Sequence, residues 1–203
     1  NALQSIATLS LRYNAPKVYD LIYSLGSIMR YSMTTERTHV PLQDEIEHVE
    51  NYMILQKERF GEEELQLIVE VEDAVTAIIV PKMILQPIVE NIFKHGFEDG
   101  IKQGVVSISC SLDDNEQLII SVKDNGKGMS EDQLTELEAG LTNIQGTDHE
   151  EIGLRNVLAR LRLQISEEAQ LRIERNTEAG LTVTLVIPLK ENEGRVLRRG
   201  EEI

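Results

Sequence analysis

The 203-residue sequence has one cysteine, Cys110, so no disulfide can form within the chain, which fits a reducing compartment. Cys110 stands inside the strand-like run VVSISCSL, where a thiol reads as a small buried hydrophobe. No apolar run reaches the roughly 18 residues that a membrane-spanning helix needs, and no secretory leader is visible. Basic residues are scarce. Twenty Lys and Arg against 35 Asp and Glu leave a formal charge of −15, a surface that repels phosphate backbones and argues against nucleic-acid binding. There is no Walker A pattern, no internal repeat and no low-complexity segment. What is present is globular: 41% hydrophobic and 27% charged residues can build a self-supporting core in one or two domains. The chain opens on Asn1 in a stretch that already reads as helical, as expected for a piece of a longer protein.

The first 60 residues read as helices. Val18, Leu21, Ile22, Leu25, Ile28 and Met29 recur at helical spacing after the start signal Asn14-Ala15-Pro16. A second stripe, Leu42, Ile46, Val49 and Met53, follows Pro41, with Glu45, Glu47, Glu50 and Lys57 expected on the other faces. Such amphipathic helices need a further surface to cover their stripes, and a homodimeric bundle is a natural one. From Gly61 the pattern changes. LQLIVEV (65–71), GVVSISCSL (104–112), QLIISVKD (117–124), AQLRIER (169–175) and LTVTLVIPL (181–189) read as strands. MILQPIVENIFKH (83–95), SEDQLTELEAG (130–140) and IGLRNVLARLRLQI (152–165) read as helices between them. Strand pairs alternating with helices predict a mixed α/β sandwich.

Three places could carry chemistry. On a helix, Asn91, Lys94 and His95 share a face, and an amide oxygen, an ammonium and an imidazole together suit a magnesium-bound polyphosphate. The same residues also suit an ordinary helix end capped by Gly96. Asp124 ends a strand and is followed by Gly126 and Gly128. A carboxylate can accept from an exocyclic amine such as that of adenine, and glycines let backbone pass close to a ligand. KDNGKG is also an ordinary turn sequence. Gly153 precedes an amphipathic helix, which suits either a phosphate or a plain helix start. Between Gly128 and Gly153 lies a long polar stretch of the kind that forms a lid.

In this order, the helix with Asn91, the DxGxG stretch and the later glycine before a helix resemble the N, G1 and G2 boxes of the Bergerat-type ATP-binding fold. RYSM, VPLQDEIEHVENYMILQKERFG, VPKMILQPIVENIFKHGF, KDNGKGM, IGLRNVLARL and GLTVTLVIPL together resemble sensor histidine kinases of the LytS and YesM type, collinearly from about residue 1 to 190.

The resemblance implies an α+β chain. A helical dimerisation segment (1–60) would precede an α/β sandwich of the Bergerat type (61–190), with a charged tail at 191–203. It implies ATP and Mg²⁺ as ligands. Asn91 would bind the metal, Lys94 and His95 would face the phosphates, Asp124 would read adenine, and Gly126 and Gly128 would be the G1 glycines. Gly153 would be the G2 glycine, with Leu154 and Asn156 beside it. Thr182 lies near the strand threonine that backs the adenine pocket, whose usual position is Leu181 here. The stretch HEEIG lacks an extra glycine often found before the G2 glycine. The phosphoacceptor histidine would stand four residues before Asn1. His39, His48 and His149 lack that context and are expected on the surface or in loops. The implied partners are a second copy, through the N-terminal helices, and the receiver domain of a response regulator. The implied location is the cytoplasmic portion of a plasma-membrane protein. Two alternatives remain from the sequence. A gyrase- or chaperone-like ATPase would keep a glutamate base where Pro87 stands. A docking module with a decayed nucleotide site would not need Asn91 and Asp124. Tyr52 and Arg59 suit either core and cap or a role in domain docking.

Overall fold

A computed structural model of the chain describes residues 2–34, 37–98, 100, 102–142 and 149–189. The expected charged tail at 191–203, and part of the expected lid, lie outside the described residues. Helix α1 (Ala2–Arg12) folds back on α2 (Pro16–Met33) through a turn in which Asn14 takes φ 55°. Pro16 fits the first turn of α2 because it has no N–H to leave unpaired there. Small residues meet between the two helices: Ala7 and Ser10 from α1, Ser24 and Gly26 from α2. The larger stripe stays uncovered, with Val18, Leu25 and Met29 all at least 39% exposed.

Strand β1 (His39–Pro41) leads without a loop into α3 (Leu42–Phe60), which Gly61 ends at φ 110°. β1 pairs antiparallel with β3 (Ile79–Pro81). This ribbon has no sequence signature, since three residues are too few to show alternation. The main sheet joins β2 (Leu65–Val71), β4 (Gly104–Leu112), β5 (Gln117–Asp124), β6 (Gln170–Arg175) and β7 (Leu181–Pro188) in the order β2-β4-β5-β7-β6. β2 and β4 run parallel and the other neighbours antiparallel, so the sheet is mixed as expected. All five expected strands are present. Alternation in β4 and β5 buries Val106, Ile108, Cys110, Leu118, Ile120 and Val122 on one face. Cys110 faces Ile120 across the ladder, and burial pushes its thiol up to about 12, as expected of an inert core residue.

Helices α4 (Gln86–Asn91), α5 (Glu131–Thr142) and α6 (His149–Gln164) complete the layer. α5 starts in a reciprocal cap. The Ser130 hydroxyl accepts the Gln133 N–H at 3.2 Å, and the Gln133 amide oxygen accepts the Ser130 N–H at 2.9 Å. The hydrophobic core is continuous from Leu42, Ile46, Val49 and Met53 of α3 to the strands and to Val157 and Leu161 of α6. Each fully buried side chain of this size contributes about 1.5–3 kcal/mol. α3 therefore shares its core with the sheet while it also packs along α2, with which the sequence groups it.

Two expectations fail here. Glu45 does not sit on an outer face of α3 but is 0% exposed, whereas Glu47 and Glu50 are exposed as expected. His48 is not a surface histidine. It is 3% exposed, and its ring stacks on Tyr31 with centroids 4.2 Å apart. His39 is exposed, and the side chain of His149 lies outside the described residues.

Candidate functional site

The chain leaves α4 at Asn91 through a π-helical turn, Ile92–Gly96, closed by the Phe97 N–H on the Ile92 carbonyl at 2.9 Å. Such turns insert a residue into the helical phase and recur at functional sites. Here the shift separates side chains that regular α-helical spacing would group. Asn91 and His95 both line a pocket, while Lys94 points outward with its ammonium 3.9 Å from Glu90. The turn is held from behind by aromatic rings. Phe93 packs against Tyr52, Phe60 and Phe97 with centroids 5.6–5.8 Å apart, so all three phenylalanines of the chain sit in one cluster. Tyr52 is thus a packing residue, its phenol pushed up to about 12 mainly by burial. Arg59 lies over the Phe60 ring at 4.9 Å.

Asp124, the last residue of β5, is 5% exposed and forms the polar floor of the pocket. Its Oδ1 accepts the Gly126 N–H at 2.7 Å, and its Oδ2 accepts the Leu181 N–H at 3.3 Å. Burial raises its pKa above the ordinary carboxylate value, and the two backbone donors partly oppose that rise. Its carbonyl accepts the Asn176 side-chain amide at 2.7 Å, and the Thr182 hydroxyl donates to the Asn176 amide oxygen at 2.6 Å. Thr182 therefore supports Asp124 through Asn176 and does not line the pocket.

Two glycines make this packing possible. A Cβ on Gly126 would lie 2.5 Å from the Gly96 carbonyl oxygen, and one on Gly180 would lie 2.1 Å from the Asp124 carbonyl oxygen. Gly180 also takes φ 84°, a region that glycine enters without steric penalty. The Lys127 N–H donates to the Gly96 carbonyl at 3.0 Å, closing the loop after Asp124 onto the π-turn. Sequence reasoning read Gly96 only as a helix cap and did not single out Gly180 or Asn176. The signal was weak: a glycine directly before a strand, five residues after its partner strand ends.

The pocket holds about 570 Å³ of non-atom space, mouth included. Most of that is open mouth, and the enclosed part is about 50 Å³. Its walls are apolar, with Ile88, Met129, Leu137, Ile173 and Val183 around the single buried carboxylate, and Leu181 stands beside Asp124. A flat, largely apolar ring with one outward-facing donor suits such a space. Of the expected site residues, Asn91, His95, Asp124, Gly128 and Leu154 line the pocket. Gly126 lies beneath it, against Gly96. Gly153 is in α6 and faces Pro87 of α4. Asn156 is exposed on α6. Among the described residues no three His, Cys, Asp or Glu side chains gather as a metal cluster; the amide oxygen of Asn91, which lines the pocket, is a group that could hold a divalent cation.

Comparison with known proteins gives the family and the fold. A family model described as "Histidine kinase" matches residues 1–64, and one described as "Histidine kinase-, DNA gyrase B-, and HSP90-like ATPase" matches residues 77–191. The sensor histidine kinase YesM of Bacillus subtilis (strain 168) is 30% identical over 190 residues, which is 94% of this chain and 31% of that protein. The sensor protein LytS of Bacillus anthracis is 30% identical over 196 residues, 95% of this chain and 32% of that protein. The chain thus spans about a third of the length of these relatives. Among solved structures, the histidine kinase domain of the Erythrobacter litoralis EL346 blue-light activated histidine kinase superposes with a TM-score of 0.53 at 17% identity, covering 93% of this chain and 82% of that one. A nucleotide-free catalytic domain of the histidine kinase ThkA gives 0.54 at 16%, covering 74% and 96%. At such identities these two matches speak for the fold, while the family models and the sequence relatives speak for descent: the chain belongs to the histidine kinase-, DNA gyrase B- and HSP90-like ATPase family, among sensor histidine kinases of the LytS and YesM type.

Proposed function

We propose that this chain is the catalytic part of a sensor histidine kinase that binds ATP with Mg²⁺ and transfers its γ-phosphoryl group to a histidine. The observation that carries the reading is Asp124, a buried carboxylate at the floor of an apolar pocket whose rim bears Asn91. Asp124 accepts the exocyclic amine of adenine, Gly126 lets the loop after it pack on Gly96 beneath the pocket, and Gly128 lines the wall. Asn91 offers its amide oxygen to the cation, which when bound neutralises phosphate charge. His95, on the turn after Asn91, and Leu154 of α6 line the same pocket, and the phosphates would extend from it toward Lys94 and toward Gly153 and Asn156 in the first half of α6. Thr182 holds the adenine floor through Asn176.

The acceptor histidine is expected upstream of Asn1. As its nitrogen bonds to the γ-phosphorus, the bond from that phosphorus to the bridging oxygen breaks and ADP leaves. The phosphoryl group then passes to an aspartate on the receiver domain of a response regulator. The exposed stripe of α2, including Leu25 and Met29, supports assembly as a homodimer in which a second copy would cover it. The full protein would be anchored in the plasma membrane with this portion in the cytoplasm. Among the described residues no helix is long and apolar enough to cross a membrane.

Titration of the chain with a fluorescent ATP analogue, with and without Mg²⁺, tests the site. Asp124→Asn should weaken binding by about tenfold or more, the worth of a hydrogen bond to a charged group. Equal affinity in a folded Asp124→Asn variant would refute the assignment. A gyrase-like ATPase has no observation in its favour, since Pro87 stands one turn before Asn91 and packs near Gly153.

A further inference from the structure

Glu45 of α3 is fully buried, and the nucleotide reading gives it no task. Its Oε1 accepts the Met83 N–H at 2.6 Å, and its Oε2 accepts the Ile84 and Leu85 N–H groups at 2.8 and 3.0 Å. Three successive amides can point at one carboxylate because Met83 is held at φ 63° and Leu85 at φ −85°, ψ −38°. Left-handed backbone followed by right-handed backbone turns the N–H groups inward and makes a concavity suited to an anion. A methionine held in the left-handed region is strained, so the surroundings must impose it.

The surroundings come from several elements. The Tyr31 hydroxyl of α2 donates to Glu45 Oε1. Burial and the adjacent carboxylate hold the Tyr31 phenol well above its ordinary pKa, so it stays a donor. Lys82 is 9% exposed. It donates to the carbonyls of Tyr31 and Thr34, the latter at 2.8 Å, and its ammonium lies 4.7 Å from the Tyr31 ring. Arg160 of α6 donates to the Lys82 carbonyl. Residues 82–85 are thereby tied to the end of α2, to α3 and to α6. They lead straight into α4, which reaches Asn91 in under two turns.

We propose that Glu45 is a positioning residue for the nucleotide site: its carboxylate sets the entry of α4 and hence the place of Asn91, and Tyr31 registers that helix to the end of α2. The proposal rests on the reading of the pocket as a nucleotide site. A movement of α2 would reach Asn91 through two side chains, with no new contact at the pocket itself.

The test is Mg-ATP titration of the 203-residue chain combined with hydrogen exchange, for wild type, Glu45→Gln and Tyr31→Phe, at a temperature where circular dichroism shows each folded. In Glu45→Gln the side-chain amide would turn its NH2 donor toward the backbone N–H groups in place of one accepting oxygen, so affinity should fall about tenfold. In wild type, bound Mg-ATP should slow exchange in the last turn of α2, residues 30–33. Tyr31→Phe should abolish that slowing while affinity stays within about threefold, because the three amides still hold the carboxylate. A lower melting temperature with unchanged affinity in Glu45→Gln would mean a purely structural role and overturn the proposal. If Glu45→Gln does not fold, Tyr31→Phe decides: slowing retained at residues 30–33 overturns the proposal. Wild-type chain that binds no nucleotide overturns the site reading first and this inference with it.

Discussion

Replacing Gly153 by alanine separates two roles that glycine can play at a ligand site. Built onto the structure, a Cβ at Gly153 meets only the Cβ of Pro87, at 3.9 Å, which is ordinary van der Waals contact. Its φ is not in the left-handed region, and it lies inside α6 (His149–Gln164), so alanine fits without strain. Alanine in a helix is favoured over glycine by about 1 kcal/mol. For a chain of this size, 1 kcal/mol corresponds to a rise in melting temperature of about 2–4 °C. If the backbone here must approach a phosphate, however, the added methyl keeps it away, and affinity for Mg-ATP should drop about tenfold, or about 1.4 kcal/mol. The two readouts therefore move in opposite directions: thermal melts by circular dichroism go up, and titrations with a fluorescent ATP analogue weaken. A higher melting temperature with unchanged affinity would refute a phosphate role for Gly153. A lower melting temperature would refute the packing against Pro87.

Asp124 gives a pH prediction. Burial raises its folded pKa above the unfolded value, so its favourable contribution to stability is fully present below the unfolded pKa and is lost as pH rises through the folded one. Melting temperatures of wild type and Asp124→Asn measured from about pH 4 to pH 7 should show the difference moving against wild type as pH rises. A gap independent of pH would contradict the raised pKa. Phe93→Ala removes a ring that touches three aromatic neighbours at 8% exposure, and should cost about 3–5 kcal/mol in urea unfolding. A loss under about 1 kcal/mol, below the range for emptying an aromatic site, would show that the π-turn is held by something other than this cluster.

The sheet was readable because β4 and β5 alternate in burial residue by residue, which the sequence shows directly. The β1–β3 ribbon was not, since its strands have three residues each. At the site, Asp124, Asn91 and His95 stood out by residue type and spacing. Lys94 was grouped with them because α-helical phase puts i and i+3 on one face. The π-turn breaks that phase, and no hydrophobic pattern announces it. Glu45 looked like a solvated position for a similar reason. Helical periodicity describes one helix alone, and what buries Glu45 is backbone from residues 83–85, about forty positions away in sequence. Asn176 and Gly180 were missed because their role is to reach the carbonyl of Asp124 across strands.

The pocket lies at the meeting of three pieces that could each pair locally, with Leu137 of α5 and Leu154 of α6 closing it: the β4–β5 hairpin with Asp124, the β6–β7 hairpin with Asn176 and Leu181, and the α3–α4 pair with Asn91 and the π-turn that carries His95. None of the three contains the pocket by itself. A ligand there recognises only the fully assembled chain and so acts as a reporter of cooperativity. At about a hundred times its Kd it would stabilise all three pieces together by about 2.7 kcal/mol, and the melting transition would move as a single step.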